Sequence, residues 1–178
     1  MSADLLHPST RLEGLLDIRL RDVIDADIEV FFEHQLDPAA IQMAAFTLPN
    51  PIDRQAFNTR WARLRANPGI FIQTILVNRQ VAGHVISFGQ PGEREISYWL
   101  GKSFWGKGVA TRAVQRFLQA EITRPLYARA AKDNHASIRV LEKCGFTFLD
   151  ESRSFASARG MAIDEVVLVL PPEDHPER

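Results

Sequence analysis

Three glycines and one lysine form the part of the sequence best suited to bind an anion. Gly101, Gly106 and Gly108 lie within eight residues, with Lys107 beside the last two and no acidic residue among them. Glycine has no Cβ, so the backbone can approach a ligand closely and its N–H groups can converge. A helix that begins after such a turn adds free N–H groups and a partial positive charge. This combination suits a phosphate group.

The flanking residues predict a strand before this turn and a helix after it. Residues 95–100 are rich in aromatic and β-branched side chains, which is typical of a strand. Apolar residues then recur at positions 109, 110, 113, 114, 117 and 118, which places one apolar stripe along an amphipathic helix. Short glycine motifs match many unrelated sequences, so the bare pattern fits an ordinary strand-to-helix connection as well as a phosphate site.

Composition indicates an ordinary soluble globular protein with one domain. The 178 residues are 46% hydrophobic and 24% charged, with a net charge of −1. This charge argues against a broad surface for nucleic acid or for an anionic membrane. The single cysteine, Cys144, excludes an internal disulfide and favours a reducing compartment, and no signal or membrane-spanning segment is evident. We therefore expect a cytoplasmic protein with a loose leader at 1–14, a domain at 15–170 and a polar tail at 171–178.

The remaining patterns predict about seven strands and four helices. The order β-α-α-β-β-β-α-β-α-β-β implies an α/β fold: a central mixed sheet with helices on both faces. Asn50 and Pro51 have the residue types expected where a helix begins, and Asn134 is a second predicted cap. Residues 37–49 are apolar without a clean period, so they form either a packed connection or a lid over a binding pocket. We expect a polar loop between the strands at 146–149 and 163–170.

Over residues 16–170 this order of elements resembles the GNAT superfamily of acetyl-CoA-dependent N-acetyltransferases. Gly108 and Ala110 match the family's pyrophosphate motif, Arg/Gln-x-x-Gly-x-Gly/Ala. Trp105 replaces the usual Arg or Gln, which is similar to the branch that acetylates ribosomal-protein N-termini. A second family motif is matched by Asn134, Ser137, Leu141, Lys143, Gly145 and Phe146. The two motifs together, at the family's separation, make a far more specific signal than either one.

The resemblance implies acetyl-CoA as cosubstrate and assigns residues to it. Backbone N–H groups would hold the pyrophosphate, in a segment that comprises Gly106, Lys107, Gly108, Val109, Ala110 and Thr111. The strands at 95–100 and 126–131 would splay apart and bind the pantetheine arm between them. A backbone N–H near Trp99 or Leu100 would polarise the thioester carbonyl. Asn134 and Ser137 would also contact the coenzyme.

The same resemblance implies two proton transfers, one to the leaving thiolate and one from the attacking amine. Many family members protonate the leaving thiolate with a tyrosine at the position that Leu141 occupies here, so we expect Ser137, one helical turn earlier, to act instead. The alternative is a first-turn serine that serves only the helix backbone. Glu95 is the leading candidate for the base. It could also be a solvated carboxylate paired with Arg94 or Lys102, and Glu165 is the second choice.

The acceptor is predicted only as an amine, either a peptide N-terminus or a small molecule. Family analogy places it between residues 36–48, with Phe46, and residues 151–160, with Arg153. His84 and His135 lack metal-ligand spacing and Cys144 fits a buried structural role, so no metal is expected. A homodimer is compatible with the fold, whose exposed strand edges often pair.

Two other functions compete with this one. The first is a non-catalytic acetyl-CoA sensor on the same fold. The second is a nucleotide hydrolase, because Gly101, Gly106 and Lys107 nearly match a phosphate-binding loop. That motif requires a hydroxyl residue where Gly108 stands.

Overall fold

A computed structural model describes residues 15–172, which fold around one seven-stranded mixed sheet. The strand order is β1-β2-β3-β4-β5-β7-β6, as the sequence predicted in strand number and mixed character. The strands are β1 (Ile18–Asp22), β2 (Phe71–Val77), β3 (Gln80–Phe88), β4 (Glu95–Leu100), β5 (Leu126–Ala131), β6 (Thr147–Ala156) and β7 (Met161–Leu170). The predicted leader at 1–14 and most of the predicted tail lie outside the described residues.

The described residues form five α-helices and one short 3-10 helix, rather than about four helices. The α-helices are α1 (Asp25–Gln35), α2 (Pro38–Ala44), α3 (Arg54–Ala66), α4 (Val109–Phe117) and α5 (His135–Lys143). The sequence reading missed α2 because its seven residues are too few to establish a helical period. Its local signals are present nonetheless, since Asp37 accepts a hydrogen bond from the backbone N–H of Ala40 and Pro38 occupies the first turn. None of the helices in residues 15–172 is long and apolar enough to cross a membrane.

Two other boundaries differ from the sequence prediction. Helix α3 is capped by Asp53, whose carboxylate accepts from the N–H of Ala56, rather than by Asn50. Both residues are good caps, so residue type alone did not decide between them. The predicted polar loop after residue 149 is instead a long hairpin, in which β6 and β7 pair from Thr147 opposite Val169 out to the turn. The polar sequence predicted a loop because β6 is an edge strand whose side chains are nearly all exposed to solvent.

The helices cover both faces of the sheet and form separate hydrophobic clusters with it. On one face α4 buries Val109, Ala113, Val114 and Phe117 against the strands, and Leu141 of α5 joins the same cluster. On the other face Phe31 of α1 packs with Phe57 and Trp61 of α3. The predicted stripe on α4 is therefore its buried face.

Strands β4 and β5 form the one parallel pair among the described strands, and they pair over a short distance. Glu95 lies opposite Tyr127 and Ile96 opposite Ala128, and the pairing ends there. Beyond these positions β4 continues against β3 to Leu100, while β5 continues against β7 to Ala131. The two strands therefore splay apart and leave an opening in the middle of the sheet.

Candidate active site

The glycine turn places the first N–H groups of α4 beside an open space. Gly106 and Gly108 have φ values of 69° and 71°, in the left-handed region that glycine adopts without strain. Gly108 is the N-cap of α4, and no side chain caps this end of the helix. A Cβ added at either glycine would have no other atom within 4 Å. The N–H groups of the first helical turn are therefore free to receive an anion.

Trp105 fixes this turn to the end of β4. Its indole Nε1–H donates to the carbonyl oxygen of Leu100 at 3.0 Å. The residue that departs from the usual pyrophosphate motif thus links the strand and the turn. Lys107 does not face the space above the helix in this structure, since its Nζ donates to the carbonyl of Ser103 at 2.8 Å.

A cleft of about 480 Å³ lies where β4 and β5 separate. This volume is within the range of small-molecule sites. Of the residues predicted from the sequence, it brings together Phe46, Glu95, Trp99, Asn134, Ser137 and Glu165. Phe46 belongs to the segment that follows α2, and its neighbours Thr47 and Leu48 also line the cleft. This segment therefore forms part of the cleft wall.

Two hydroxyl groups meet on the α5 side of the cleft. Tyr98 Oη and Ser137 Oγ are 3.0 Å apart and hydrogen-bonded. Burial raises the pKa of Tyr98 to about 12, although the hydrogen bond with Ser137 acts in the opposite direction. The phenol is thus neutral throughout the physiological range. Leu141, at the position where the family usually has tyrosine, is buried in the core and also borders the cleft.

Asn134 organises the beginning of α5. Its Oδ1 accepts from the backbone N–H of Ser137 at 3.1 Å, which confirms the predicted cap. Its Nδ2 donates to the carbonyl of Met43 at 3.2 Å, so the side chain also ties α5 to α2. The Ser137 hydroxyl is consequently not needed as a helix cap and is directed to Tyr98 instead.

The two candidate bases are joined by an arginine. Arg129 Nε donates to Glu95 Oε1 at 3.0 Å, and its Nη1 lies 3.6 Å from Glu165 Oε2. The hydrogen bond with Glu95 is the main cause that raises the pKa of Arg129. Burial acts in the opposite direction, and the charges of both carboxylates add to the rise. Glu165 is nearly buried and also accepts from Ser152 and Ser154, whereas Glu95 is more open. Glu95 therefore pairs with neither Arg94, which binds Glu121, nor Lys102, which lies near Asp37.

Aromatic side chains form the opposite wall of the cleft. His84 packs against both Phe31 and Trp61, each with its ring centroid 4.8 Å from that of the imidazole, and the two aromatic rings also contact each other. Burial lowers the pKa of His84 to about 3, and the nearby charges of Arg60 and His34 add to this effect. The imidazole is therefore neutral and contributes to an apolar wall. Among the described residues no group of three His, Cys, Asp or Glu side chains could hold a metal ion.

Two further predictions can be placed in the structure. Arg153 is not brought to the cleft, because its guanidinium pairs with Asp164 on the exposed hairpin. Arg60 of α3 is the cation that lines the cleft on the aromatic side.

Burial raises the pKa of the Cys144 thiol to about 11, and its Sγ contacts the carbonyl of Thr111 at 3.6 Å. This environment is that of an unreactive, structural cysteine.

Comparison with known proteins connects this site to a family. The model of the "Acetyltransferase (GNAT) domain" family matches residues 17–147 of the chain. This range includes the glycine turn, the separating strands and Ser137. The chain belongs to the GNAT acetyltransferase family.

The individual relatives are more distant. An "Uncharacterized N-acetyltransferase p20" from Bacillus licheniformis is 34% identical over 83 residues, a match that spans 44% of this chain and 47% of the relative. The chain thus matches about half the length of this curated relative.

Solved structures support the fold. RimL, described as a ribosomal L7/L12 α-N-protein acetyltransferase in complex with coenzyme A, has a TM-score of 0.75 at 19% identity and covers 89% of this chain and 96% of its own. YncA from Salmonella typhimurium, a putative acetyltransferase with acetyl-CoA, has a TM-score of 0.72 at 20% identity and covers 90% and 96%. At such low identity these two similarities establish the GNAT fold alone.

Membership of the GNAT family argues against the alternative prediction of a nucleotide hydrolase.

Two residues of the site were not predicted from the sequence. Tyr98 and Arg129 both face the cleft, one beside Ser137 and one between the candidate bases. Alternation along β4 could have placed Tyr98 on the same face as the buried Ile96 and Leu100. The contact of Arg129 with Glu95 joins residues 34 apart in sequence and depends on the register of two strands, which no local pattern shows.

Proposed function

We propose that this protein transfers the acetyl group of acetyl-CoA directly to an amine, either a peptide N-terminus or a small molecule. One observation carries the proposal: α4 begins with uncapped N–H groups beside open space, in the turn that directly follows β4, and β4 separates from β5 at a cleft lined by paired hydroxyls and carboxylates. The N–H groups suit the pyrophosphate and the unpaired strand edges suit the pantetheine arm. RimL and YncA, with their bound coenzyme A and acetyl-CoA, support this assignment.

The proposed chemistry needs one base and one proton donor. An ammonium group must lose a proton before it can attack the thioester carbonyl, and the departing thiolate gains from a nearby donor. Glu95 is the proposed base, directly or through a water molecule, because it faces the cleft and is less enclosed than Glu165. Glu165 is the second choice. Ser137 is the proposed hydrogen-bond donor to the departing sulfur and relays to it a proton from water, so the serine regains its hydrogen. A backbone N–H near Trp99 or Leu100 would polarise the carbonyl.

Phe46 and the aromatic wall are the proposed contacts for the body of the acceptor. Since Arg60 borders this wall while Arg153 pairs with Asp164 elsewhere, Arg60 is the better-placed cation for an acceptor that carries an anionic group. The single cysteine, held in an unreactive setting, is consistent with a cytoplasmic enzyme.

The test is an acceptor-panel assay with acetyl-CoA, in which free CoA is measured against amines and peptides of differing N-termini. Once an acceptor is found, Ser137→Ala should lower kcat about tenfold to a hundredfold, at the low end of general acid assistance. Glu95→Gln should lower kcat more than Glu165→Gln if Glu95 is the base. Arg129 keeps one carboxylate partner in either Gln variant, which makes the pair a matched comparison.

Two results would contradict the proposal. Tight acetyl-CoA binding without transfer to any acceptor in a broad panel would favour the non-catalytic sensor. Wild-type kcat in Ser137→Ala would remove the serine from the chemistry while leaving the activity itself in place.

A further inference from the structure

We propose that Tyr98 is the positioning residue for Ser137: its phenol donates to the serine oxygen, so that the serine hydrogen is left to point at the coenzyme sulfur. This inference rests on the proposed function, since it requires the thiol end of CoA to reach the α5 side of the cleft. It supplies from β4 the phenol that the family usually places on α5, where this chain has Leu141.

The direction of the hydrogen bond follows from the partners each hydroxyl has. Tyr98 Oη has one hydrogen-bond partner among the described residues, Ser137 Oγ at 3.0 Å. A phenol hydrogen without an acceptor at this half-buried position would cost up to about 1–3 kcal/mol, so we infer that Tyr98 donates and Ser137 accepts. The serine hydroxyl keeps its own hydrogen, and the residue borders the cleft.

The competing use for the serine hydroxyl is a hydrogen bond to its own helix. A serine in a first turn can accept from a backbone N–H or donate to a backbone carbonyl of the preceding turn. Here Asn134 Oδ1 already accepts from the backbone N–H of Ser137, at 3.1 Å. Among the described residues, the hydrogen-bond partner of Ser137 Oγ is Tyr98 Oη and no backbone group.

Tyr98 suits the role of a permanent donor rather than that of the acid. Its ring packs against the core formed by Ile96, Leu100 and α4, and burial raises the pKa of the phenol. A neutral phenol donates at every pH at which the enzyme would work. Its hydrogen is not the one offered to the sulfur, because it is held by Ser137 Oγ. No proton leaves Tyr98 in this scheme.

The experiment measures the pKa of the CoA thiol bound to the protein, by ultraviolet absorbance of the thiolate against pH. It needs no knowledge of the acceptor. A hydrogen bond to the charged sulfur lowers this pKa, so Ser137→Ala should raise it by about one unit. Tyr98→Phe should raise it by about half a unit because the serine remains but is no longer oriented. The double variant should equal Ser137→Ala, since Tyr98 acts through Ser137.

Tyr127→Phe is the matched control, because it removes the phenol hydroxyl of the chain's other tyrosine, on the neighbouring strand, outside the cleft lining. Its bound thiol should titrate as in the wild type. A wild-type thiol pKa in Tyr98→Phe would overturn the inference, and so would an additive shift in the double variant. Absence of CoA binding to the wild type, measured by calorimetry, would instead overturn the proposed function together with this inference.

Discussion

Replacing Gly108 with alanine separates the two roles of the glycine turn, backbone conformation and ligand approach. Gly108 has φ near 71°, so any side chain there is strained by about 1–2 kcal/mol. The stiffer unfolded chain offsets about 0.4–1 kcal/mol, which leaves a net loss of about 1 kcal/mol. For a chain of this length we expect a fall in melting temperature of about 2–4 °C. A valine would be worse because it is β-branched in the left-handed region.

The loss of coenzyme affinity should exceed what strain explains. The added Cβ projects into open space at the N-terminus of α4, with no protein atom within 4 Å, so the protein itself can accommodate it. A phosphate seated there could not. Loss of one charge-assisted hydrogen bond, at about 1.5–3 kcal/mol, corresponds to a tenfold to hundredfold weaker dissociation constant for CoA. The assay is isothermal titration calorimetry, with thermal denaturation alongside.

Gly160→Ala is the matched control for this variant. Gly160 lies in the β6–β7 turn with φ near 64°, and a Cβ there also meets nothing within 4 Å. The two variants should therefore lose similar stability, but only Gly108→Ala should lose CoA affinity. Equal affinity in both variants would show that the coenzyme does not bind at the start of α4.

Two further predictions concern ligand choice and pH. Acetyl-CoA at a hundred times its dissociation constant should stabilise the fold by about 2.7 kcal/mol, whereas Mg-ATP should do much less in the same thermal-shift titration; the reverse order would favour the nucleotide reading. His84 is the second case: burial lowers its pKa to about 3 in the folded state, so unfolding takes up a proton below about pH 6.5 and stability falls as the pH falls. Between pH 6.5 and 4.5, the free energy of unfolding of His84→Phe, measured by urea denaturation, should fall by about 2 kcal/mol less than that of the wild type. His135→Phe, at an exposed position, is the control. Equal pH dependence in His84→Phe and the wild type would refute the assignment. Burial raises the pKa of Glu121, but hydrogen bonds from Ser87, Arg94 and Thr123 outweigh it and lower the pKa to about 2. Both proteins should therefore lose further stability below about pH 4.5, where this carboxylate takes up a proton on unfolding.

Local patterns were sufficient for the elements that carry the cofactor site. The strand at Glu95–Leu100 and the strand at Leu126–Ala131 have the boundaries that residue types predicted, and Asn134 caps α5 as expected. These features depend on side chains close in sequence. Helix α2 was not predicted because seven residues are too few to show a helical period. The β6–β7 hairpin was predicted as a loop because an edge strand exposes polar side chains, as a loop does.

Contacts between residues far apart in sequence could not be predicted from local patterns. Ser137 and Glu95 could be named as candidates from their positions, but their partners, Tyr98 and Arg129, come from other strands or from a register set by the whole sheet. The same limit explains Arg153. Its residue type suggested a contact with the acceptor, while hairpin pairing places Asp164 directly opposite and holds the guanidinium there.

The short pairing between β4 and β5 also leaves the two halves of the sheet joined by few backbone hydrogen bonds. After Ile96 and Ala128, no ladder within residues 15–172 joins the half formed by β1–β4 to the half formed by β5–β7. Backbone amides that face the gap should exchange with deuterium quickly in the free protein, since solvent can reach them. A ligand that fills the gap as an added strand would join the halves, so protection there should rise with acetyl-CoA and the two halves should unfold more cooperatively. The cosubstrate would then be a structural member of the sheet during each catalytic cycle.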